Sequence, residues 1–285
     1  ADTYKYQPRW SPDSKKLLWA DKKLRLQFVD IETKQVTLVN QATAWEIANY
    51  DWSPDSKWIT FARNEEKSMA TVYLYSLDKK ETYPVTDGWF SSFQPTFSSD
   101  GKYLFFSSQR SFSPSYSQVE WNYAYFDLSK IYLVTLAADT KSPFAPKSDE
   151  VTIEGDKKET EKKDESKSGV TVKVDIDGLK SRIVEIPVAA SNYWNITSVG
   201  DKIYYMRNGT KDAKSKLLMY DLAAQKETEL GEINGYEISA NGKKMLVGQQ
   251  NSYAIIDLPS AKIDIKERLV LSNMKTNLDR YAEWK

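Results

Sequence analysis

The sequence predicts an all-β protein, a β-propeller of four-stranded blades with about five blades present. Three observations carry that prediction. A short motif recurs along the chain in a fixed order. Each copy is followed by apolar–polar alternating runs separated by turn residues. Aromatic residues make up 13% of the chain, with 9 Trp and 18 Tyr. Such residues, with Val, Ile and Thr, favour pleated, half-buried surfaces.

The motif reads Trp10-Ser11-Pro12-Asp13-Ser14-Lys15 in its first copy and Trp52-Ser53-Pro54-Asp55-Ser56-Lys57 in its second. The third copy is Phe97-Ser98-Ser99-Asp100-Gly101-Lys102, and a weaker one is Ile238-Ser239-Ala240-Asn241-Gly242-Lys243. The weakest spans Ile196 to Lys202. Pro presets φ, Asp bonds back to its own backbone and Gly accepts positive φ, so each copy is a tight turn. The aromatic or apolar residue before the turn ends one strand, and the run after it starts the next. Those second strands are expected over Lys16–Ala20, Trp58–Arg63, Tyr103–Ser108, Ile203–Arg207 and Lys244–Gly248. A third strand closes each unit's apolar run, at Phe28–Ile31, Leu74–Leu77, Leu133–Leu136, Met219–Leu222 and Ile255–Leu258. Fourth strands follow in places, as at Gln35–Val39 and Glu81–Val85. Units of about 42 residues with about four strands each are propeller blades. The blades are expected roughly at 1–42, 43–88, 89–146, 170–233 and 234–271. A β-sandwich with chance turn similarity is the rival, and five ordered copies speak against it.

Charge and composition exclude several functions. Lys+Arg and Asp+Glu both number 40, so the net charge is zero. Nucleic-acid proteins carry a basic footprint that this chain lacks, so no nucleic-acid partner is expected. The chain has no Cys and no His. A Ser-His-Asp triad, a Cys nucleophile and a thiolate or imidazole metal site therefore cannot form from its residues. No apolar run approaches the length of a membrane span. Asp175-Ile176-Asp177-Gly178 echoes the start of a calcium loop, but the later ligands do not follow and a turn is expected. Asn195-Ile196-Thr197 and Asn208-Gly209-Thr210 match the N-glycosylation pattern, a match expected by chance at this length. Ser-Lys pairs such as Ser14-Lys15 and Ser56-Lys57 belong to the turns. No catalytic residue, cofactor site or metal site is assigned.

In this repeat the chain resembles the propellers of TolB and of tricorn-type proteases. The middle is the more specific part. Gln109-Arg110 with Phe112-Ser113-Pro114-Ser115-Tyr116, Trp121-Asn122-Tyr123 and Ile131–Leu136 resembles a tricorn-homologue blade with its long inserted loop. Ser142–Glu150, Val174–Leu179 with Arg182-Ile183-Val184, and Asp279–Lys285 are similar to segments that follow in that family. The resemblance covers nearly the whole chain. It implies a serine peptidase whose nucleophilic Ser, His and PDZ-like domain lie downstream of the propellers, with peptides as substrates. On that resemblance this chain is a non-catalytic propeller that restricts or guides peptide access to a catalytic chamber formed by those downstream domains. The alternative is a stand-alone protein-interaction propeller of the TolB kind. The resemblance also implies a periplasmic or secreted location, and no residue argues against a cytoplasmic one. It leaves room for a homo-oligomer of the full-length protein. The family's second propeller has seven blades, so five repeats fit either a partial seven-bladed propeller or a closed five-bladed ring. Residues 272–285 fit a crossover into a downstream domain.

Two segments interrupt the repeat. Residues 147–168 hold six Lys and eight acids with hardly any apolar content, which reads as a solvated, disordered insertion. A strand is expected to resume at Val170–Asp177, where apolar and polar residues alternate. The stretch from Gln109 to Asp127 interrupts the third blade and is rich in aromatics. Its bland reading is a loop folded over the propeller face. Its functional reading is a peptide-contact surface at the channel mouth, with Arg110, Tyr116, Trp121 and Tyr123 as contact residues. There the aromatics supply apolar area and Arg110 can pair with a carboxylate.

Overall fold

The computed structural model describes residues 3–112, 114–116, 123–146 and 170–284. Five antiparallel sheets succeed one another along the chain. The first holds β1 (Lys5–Trp10), β2 (Lys16–Asp21), β3 (Arg25–Asp30) and β4 (Val36–Gln41). The second holds β5 (Asn49–Trp52), β6 (Trp58–Arg63), β7 (Thr71–Ser76) and β8 (Glu81–Pro84). The third begins with β9 (Ser92–Phe97) and β10 (Tyr103–Ser108). A two-stranded ladder of β11 (Ser115–Tyr116) and β12 (Tyr123–Ala124) then interrupts it before β13 (Lys130–Thr135) and β14 (Ile183–Glu185). The fourth holds β15 (Tyr193–Val199), β16 (Lys202–Arg207), β17 (Lys216–Asp221) and β18 (Lys226–Glu232). The fifth has three strands, β19 (Gly235–Ile238), β20 (Lys244–Gln249) and β21 (Ser252–Asp257). Past β21 the chain is extended along the fourth and fifth blades: Ile263 N–H donates to Leu230 O (2.7 Å), Leu269 N–H to Tyr253 O (2.8 Å), and Ile263 and Ile265 pack on the apolar layer there. Beyond it, Asp279 caps a one-turn helix, α1 (Arg280–Glu283), by accepting from Tyr281 N–H and Ala282 N–H.

The repeated motif builds the same hydrogen-bonded turn in four blades. The Ser hydroxyl donates to the Asp or Asn side chain two residues on: Ser11 to Asp13, Ser53 to Asp55 and Ser98 to Asp100 at 2.6 Å, and Ser239 to Asn241 at 2.8 Å. The same Ser oxygen accepts the first backbone N–H of the next strand, from Lys16, Trp58, Tyr103 or Lys244. The fifth motif position is left-handed in each, at Ser14 (φ 58°), Ser56 (φ 60°), Gly101 (φ 71°) and Gly242 (φ 66°). Glycine, lacking a Cβ, takes that conformation without strain, which suits it to the third and fifth blades' turns. The fourth blade's weak copy makes a shorter turn, with Val199 opposite Lys202.

Alternation on the strands buries one apolar layer between each pair of consecutive blades. Leu18, Leu26 and Phe28 of the first blade pack with Trp52, Ile59 and Phe61 of the second. Val72 and Leu74 meet Phe97, Leu104 and Phe106 at the next interface. Phe105 and Leu133 meet Tyr193, Ile203 and Tyr205. Tyr204 and Met219 meet Tyr236, Met245 and Val247. Turns also touch turns across these interfaces: Asp13 N–H donates to Ser56 Oγ (3.1 Å) and Gly200 N–H to Ser99 Oγ (2.8 Å). Among the described residues no apolar cluster joins the fifth blade to the first. Leu246, Tyr253 and Ile255 on the fifth, and Trp10, Val36 and Leu38 on the first, are exposed.

The third blade corrects two expectations. Its fourth strand is β14, with Val184 opposite Leu133. The stretch through Glu185, assigned from sequence to the fourth blade at 170–233, therefore belongs to the third. Val170–Asp177 also forms no strand. It is an extended strap: Val172 and Leu179 bury into the interface of the second and third blades. Val172 N–H donates to Asp55 Oδ2 (2.9 Å) and Asp175 N–H to Leu136 O (2.9 Å). Alternation signals an extended chain with one buried face, and a strap on a core has that face without a ladder. Asp175 accepts Ala138 N–H (2.8 Å), and Arg182 gathers the carbonyls of Thr135, Leu136, Asp175 and Asp177. The Asp-Ile-Asp-Gly run is thus a turn, with Gly178 left-handed at φ 70°.

Candidate functional site

Each blade contributes its first strand to a central channel of about 770 Å³. Among its lining residues one position recurs in every blade: Arg9, Asp51, Thr96, Thr197 and Glu237. These five are equivalent by register, lying opposite Leu18, Thr60, Phe105, Tyr204 and Leu246 of the neighbouring strand. In the sequence each stands just ahead of the residue before the turn, where a polar residue reads as a plain solvent-facing position. The strand alternation that sends Trp10, Trp52 and Phe97 one way sends these residues the other. Sequence reasoning missed them, although a polar residue recurring at one repeat position was a usable signal.

Three of the five strands bulge beside this ring. Gln7 (φ 45°), Gln94 (φ 53°) and Asn195 (φ 52°) are left-handed, and the register shifts at each. A bulge leaves carbonyls without ladder partners. The following blade supplies a tyrosine for two of them: the Tyr50 hydroxyl lies 2.7 Å from Gln7 O and the Tyr236 hydroxyl donates to Asn195 O. Asn195 Nδ2 returns a bond to Tyr236 O (2.8 Å), so this asparagine is committed to the blade interface. At the third bulge Gln94 Oε1 is buried with no partner among the described residues.

Asp51 is the electrostatic centre of the channel. Its carboxylate takes a bond from Thr96 Oγ1 (2.8 Å) and lies 3.6 Å from Arg9 Nη1. Burial pushes its pKa above the usual carboxylate value, with Arg9 and Thr96 offsetting only part of that rise. A carboxyl whose folded pKa exceeds its unfolded one costs stability once pH rises past the unfolded value, and the cost vanishes where both states are protonated. Asp51→Asn is therefore expected to raise the unfolding midpoint at neutral pH and to leave it nearly unchanged in acid. Paired thermal melts of the two proteins across that range check the sign.

The rim of one propeller face is aromatic. In an antiparallel blade the loop between second and third strands and the link to the next blade open on the same side. That side carries Trp45, Met69, Trp89, Phe90, Phe112, Tyr125 and Phe126, all exposed; Trp89 is 79% and Phe112 75% accessible. Phe112 and Tyr125 rest together at 5.3 Å between ring centroids. Asp127 ties the end of the third-blade loop to the fourth blade, accepting Thr210 N–H (3.1 Å) and Thr210 Oγ1 (2.5 Å). Gly209 allows that approach, because a Cβ there would stand 2.7 Å from Asp127 Oδ1.

Arg110 emerges from the end of β10 into this rim. Its guanidinium carbon lies 4.8 Å from the Tyr132 ring centroid and 5.7 Å from that of Phe90. Its Nε donates to Ser108 Oγ (3.1 Å), which is 2.9 Å from Ser92 Oγ on β9, the strand that carries Gln94 and Thr96 to the channel. Burial, with Glu185 beside it, drives the Tyr132 phenol far above its ordinary pKa, so the ring stays neutral. Of the other residues expected to join Arg110, Tyr116 and Tyr123 are paired backbone to backbone in the β11–β12 ladder, and Trp121 lies outside the described residues. Trp45, Trp89 and Phe90 were not anticipated, because nothing in the sequence separates an exposed aromatic from a buried one.

A sequence model described as the tricorn protease second β-propeller domain matches residues 2–259. The chain belongs to the tricorn protease second-propeller family. Tricorn protease homolog 1 of Streptomyces coelicolor is 27% identical over 299 residues, covering 96% of this chain and 27% of the homologue. The chain thus spans about a quarter of that relative's length. The crystal structure of the tricorn protease superposes with a TM-score of 0.72 at 20% identity, over 89% of this chain and 25% of that one. TolB from Acinetobacter baumannii gives 0.55 at 15% identity, over 90% of this chain and 52% of TolB. These two likenesses show the propeller fold alone.

Proposed function

We propose that this tricorn-family propeller is the non-catalytic access module of a serine peptidase. In this reading its axial channel restricts and guides peptides toward a catalytic chamber built by other domains of the same polypeptide. The observation that carries the reading is the polar ring of Arg9, Asp51, Thr96, Thr197 and Glu237 around a channel of about 770 Å³. Guanidinium, hydroxyl and carboxylate groups can exchange hydrogen bonds with the backbone of an extended peptide without selecting one side chain. Aromatic side chains on one rim offer apolar area where a chain would arrive. A periplasmic or secreted peptidase is the setting this reading favours.

The test narrows the channel in the full-length peptidase. Thr197→Trp with Glu237→Trp places two indoles at channel-lining positions on adjacent blades. Cleavage of a peptide of ten or more residues is expected to fall about tenfold in kcat/KM, while a dipeptide reporter keeps its rate. Equal loss for both substrates, or loss for neither, overturns the reading.

A further inference from the structure

We propose that Arg110 and the aromatic rim around it form a binding site for the carboxylate of a peptide whose adjoining residues are apolar or aromatic. The inference rests on the reading that peptides are handled at this face, and it adds the chemistry of what is held there.

Arg110 is presented and oriented. Tyr132, itself buried, and the half-exposed Phe90 flank its guanidinium, and Nε is taken by Ser108. That leaves the terminal nitrogens, the fork that grips a carboxylate with two parallel bonds. Among the described residues Arg110 has no ion pair, unlike Arg9, Arg25, Arg63 and Arg207. Stacking on rings fixes the plane of the fork before a ligand arrives, so little side-chain freedom remains to be lost on binding. The most exposed aromatics of this rim are Trp89, which adjoins Phe90 in the chain, and Phe112, two residues past Arg110. An exposed apolar patch around a preset cation matches a carboxylate flanked by apolar side chains. The bond from Ser108 to Ser92 places the site at the root of β9, the strand that lines the channel two residues further on, at Gln94. A peptide held by its carboxylate at Arg110 would lie at the channel's edge.

The carboxylate can be a chain terminus or an acidic side chain. Fluorescence anisotropy on the 285-residue chain separates these with three fluorescein-labelled decapeptides of Leu, Phe and Ala. One ends in a free carboxylate, one in an amide, and one in an amide with Glu at the penultimate position. The free-carboxylate peptide is expected to bind about tenfold tighter than the plain amide, the size of effect a charge-assisted bidentate pair supplies. Tight binding of the Glu peptide as well assigns the site to carboxylates in general; tight binding of the free terminus alone assigns it to chain ends. Arg110→Ala should erase the preference, and Arg110→Lys, which keeps the charge but neither the planar stacking nor the fork, should restore part of it. Trp89→Ala should weaken all three peptides alike. It removes a side chain that packs little, so it serves as the variant that leaves the fold intact. Equal affinity for carboxylate and amide peptides, or an unchanged preference in a folded Arg110→Ala protein, overturns the proposal. So does the absence of any binding, even where the narrowed-channel experiment succeeds. Carboxylate-selective binding alongside a failed channel experiment removes the access reading and leaves this site standing.

Discussion

Arg207→Met is expected to destabilise the fourth blade by about 3 kcal/mol at neutral pH, the low end of what breaking a buried ion pair costs. Arg207 grips Asp212 with Nε at 3.1 Å and Nη2 at 3.3 Å, and reaches Glu227 with Nη1 at 3.4 Å. The Arg207 and Asp212 side chains are 15% and 7% accessible, so solvent screens them little. Glu227 also accepts the Tyr205 hydroxyl at 2.5 Å, in the apolar layer between the third and fourth blades. Methionine keeps the stem's volume and removes the fork, so two carboxylates lose their main counter-charge. Lys216, 3.6 Å from Asp212, recovers a part. Burial alone would raise the Asp212 pKa, but Arg207, the Gly209 N–H and Lys216 outweigh it and hold the carboxyl below its usual value. A depressed carboxylate contributes stability above its unfolded pKa and loses it as pH falls through the folded one. The deficit of Arg207→Met should therefore be full at neutral pH and shrink near about pH 3. Urea unfolding at the two pH values measures it. A constant deficit at both would assign the loss to packing rather than to charge.

Phe61→Ala should cost about 3–5 kcal/mol, whereas Ile255→Ala should change stability by no more than about 0.5 kcal/mol. Both residues are large and apolar and sit within blade strands. Phe61 is fully buried between the first and second blades and stacks on Tyr73 at 5.4 Å. Ile255 is 57% accessible on the open face of the fifth blade, beside Leu246 and Tyr253. Removing a ring from a packed layer leaves a cavity, while trimming an exposed side chain returns little apolar surface to water. Thermal or urea unfolding of the two variants compares the layers directly. A large loss at Ile255 would show that the fifth blade's outer face is covered in solution.

Much of the blade plan was legible because the turn chemistry is local. Ser at the second motif position, Asp or Asn at the fourth and Ser or Gly at the fifth close the same hydrogen-bonded turn wherever they occur. The strands on either side then follow from alternation. Long-range pairing was legible only where consecutive strands pair with each other. The third blade breaks that rule: β13 ends at Thr135 and its partner β14 begins at Ile183. No local signal marks a strand that returns after so long an excursion, and the strap at Val170–Asp177 imitates one.

The candidate site divides in the same way. Arg110 could be singled out because it stands in an aromatic insertion that interrupts a regular repeat. Its stacking on Tyr132 and Phe90 could not, since those partners lie on β13 and on the link before β9. The channel ring went unassigned for a related reason. Arg9, Asp51, Thr96, Thr197 and Glu237 look like ordinary outward-facing strand residues until five blades turn that side toward a common axis.

The sequence by itself therefore determined the local matters: the turns, the strands beside them, the blade repeat and the absence of thiol and imidazole chemistry. These depend on residues a few positions apart, whose hydrogen bonds and pleat are fixed by the chain itself. Only the tertiary structure decided what each exposed-looking residue faces. It turned one strand edge into a channel and one set of loops into an aromatic rim. It set Asp51 and Arg207 in surroundings dry enough for charge to matter, and it left the outer faces of the first and fifth blades bare. Burial and dielectric are properties of what packs across a gap, and the residues that supply them are tens of positions away.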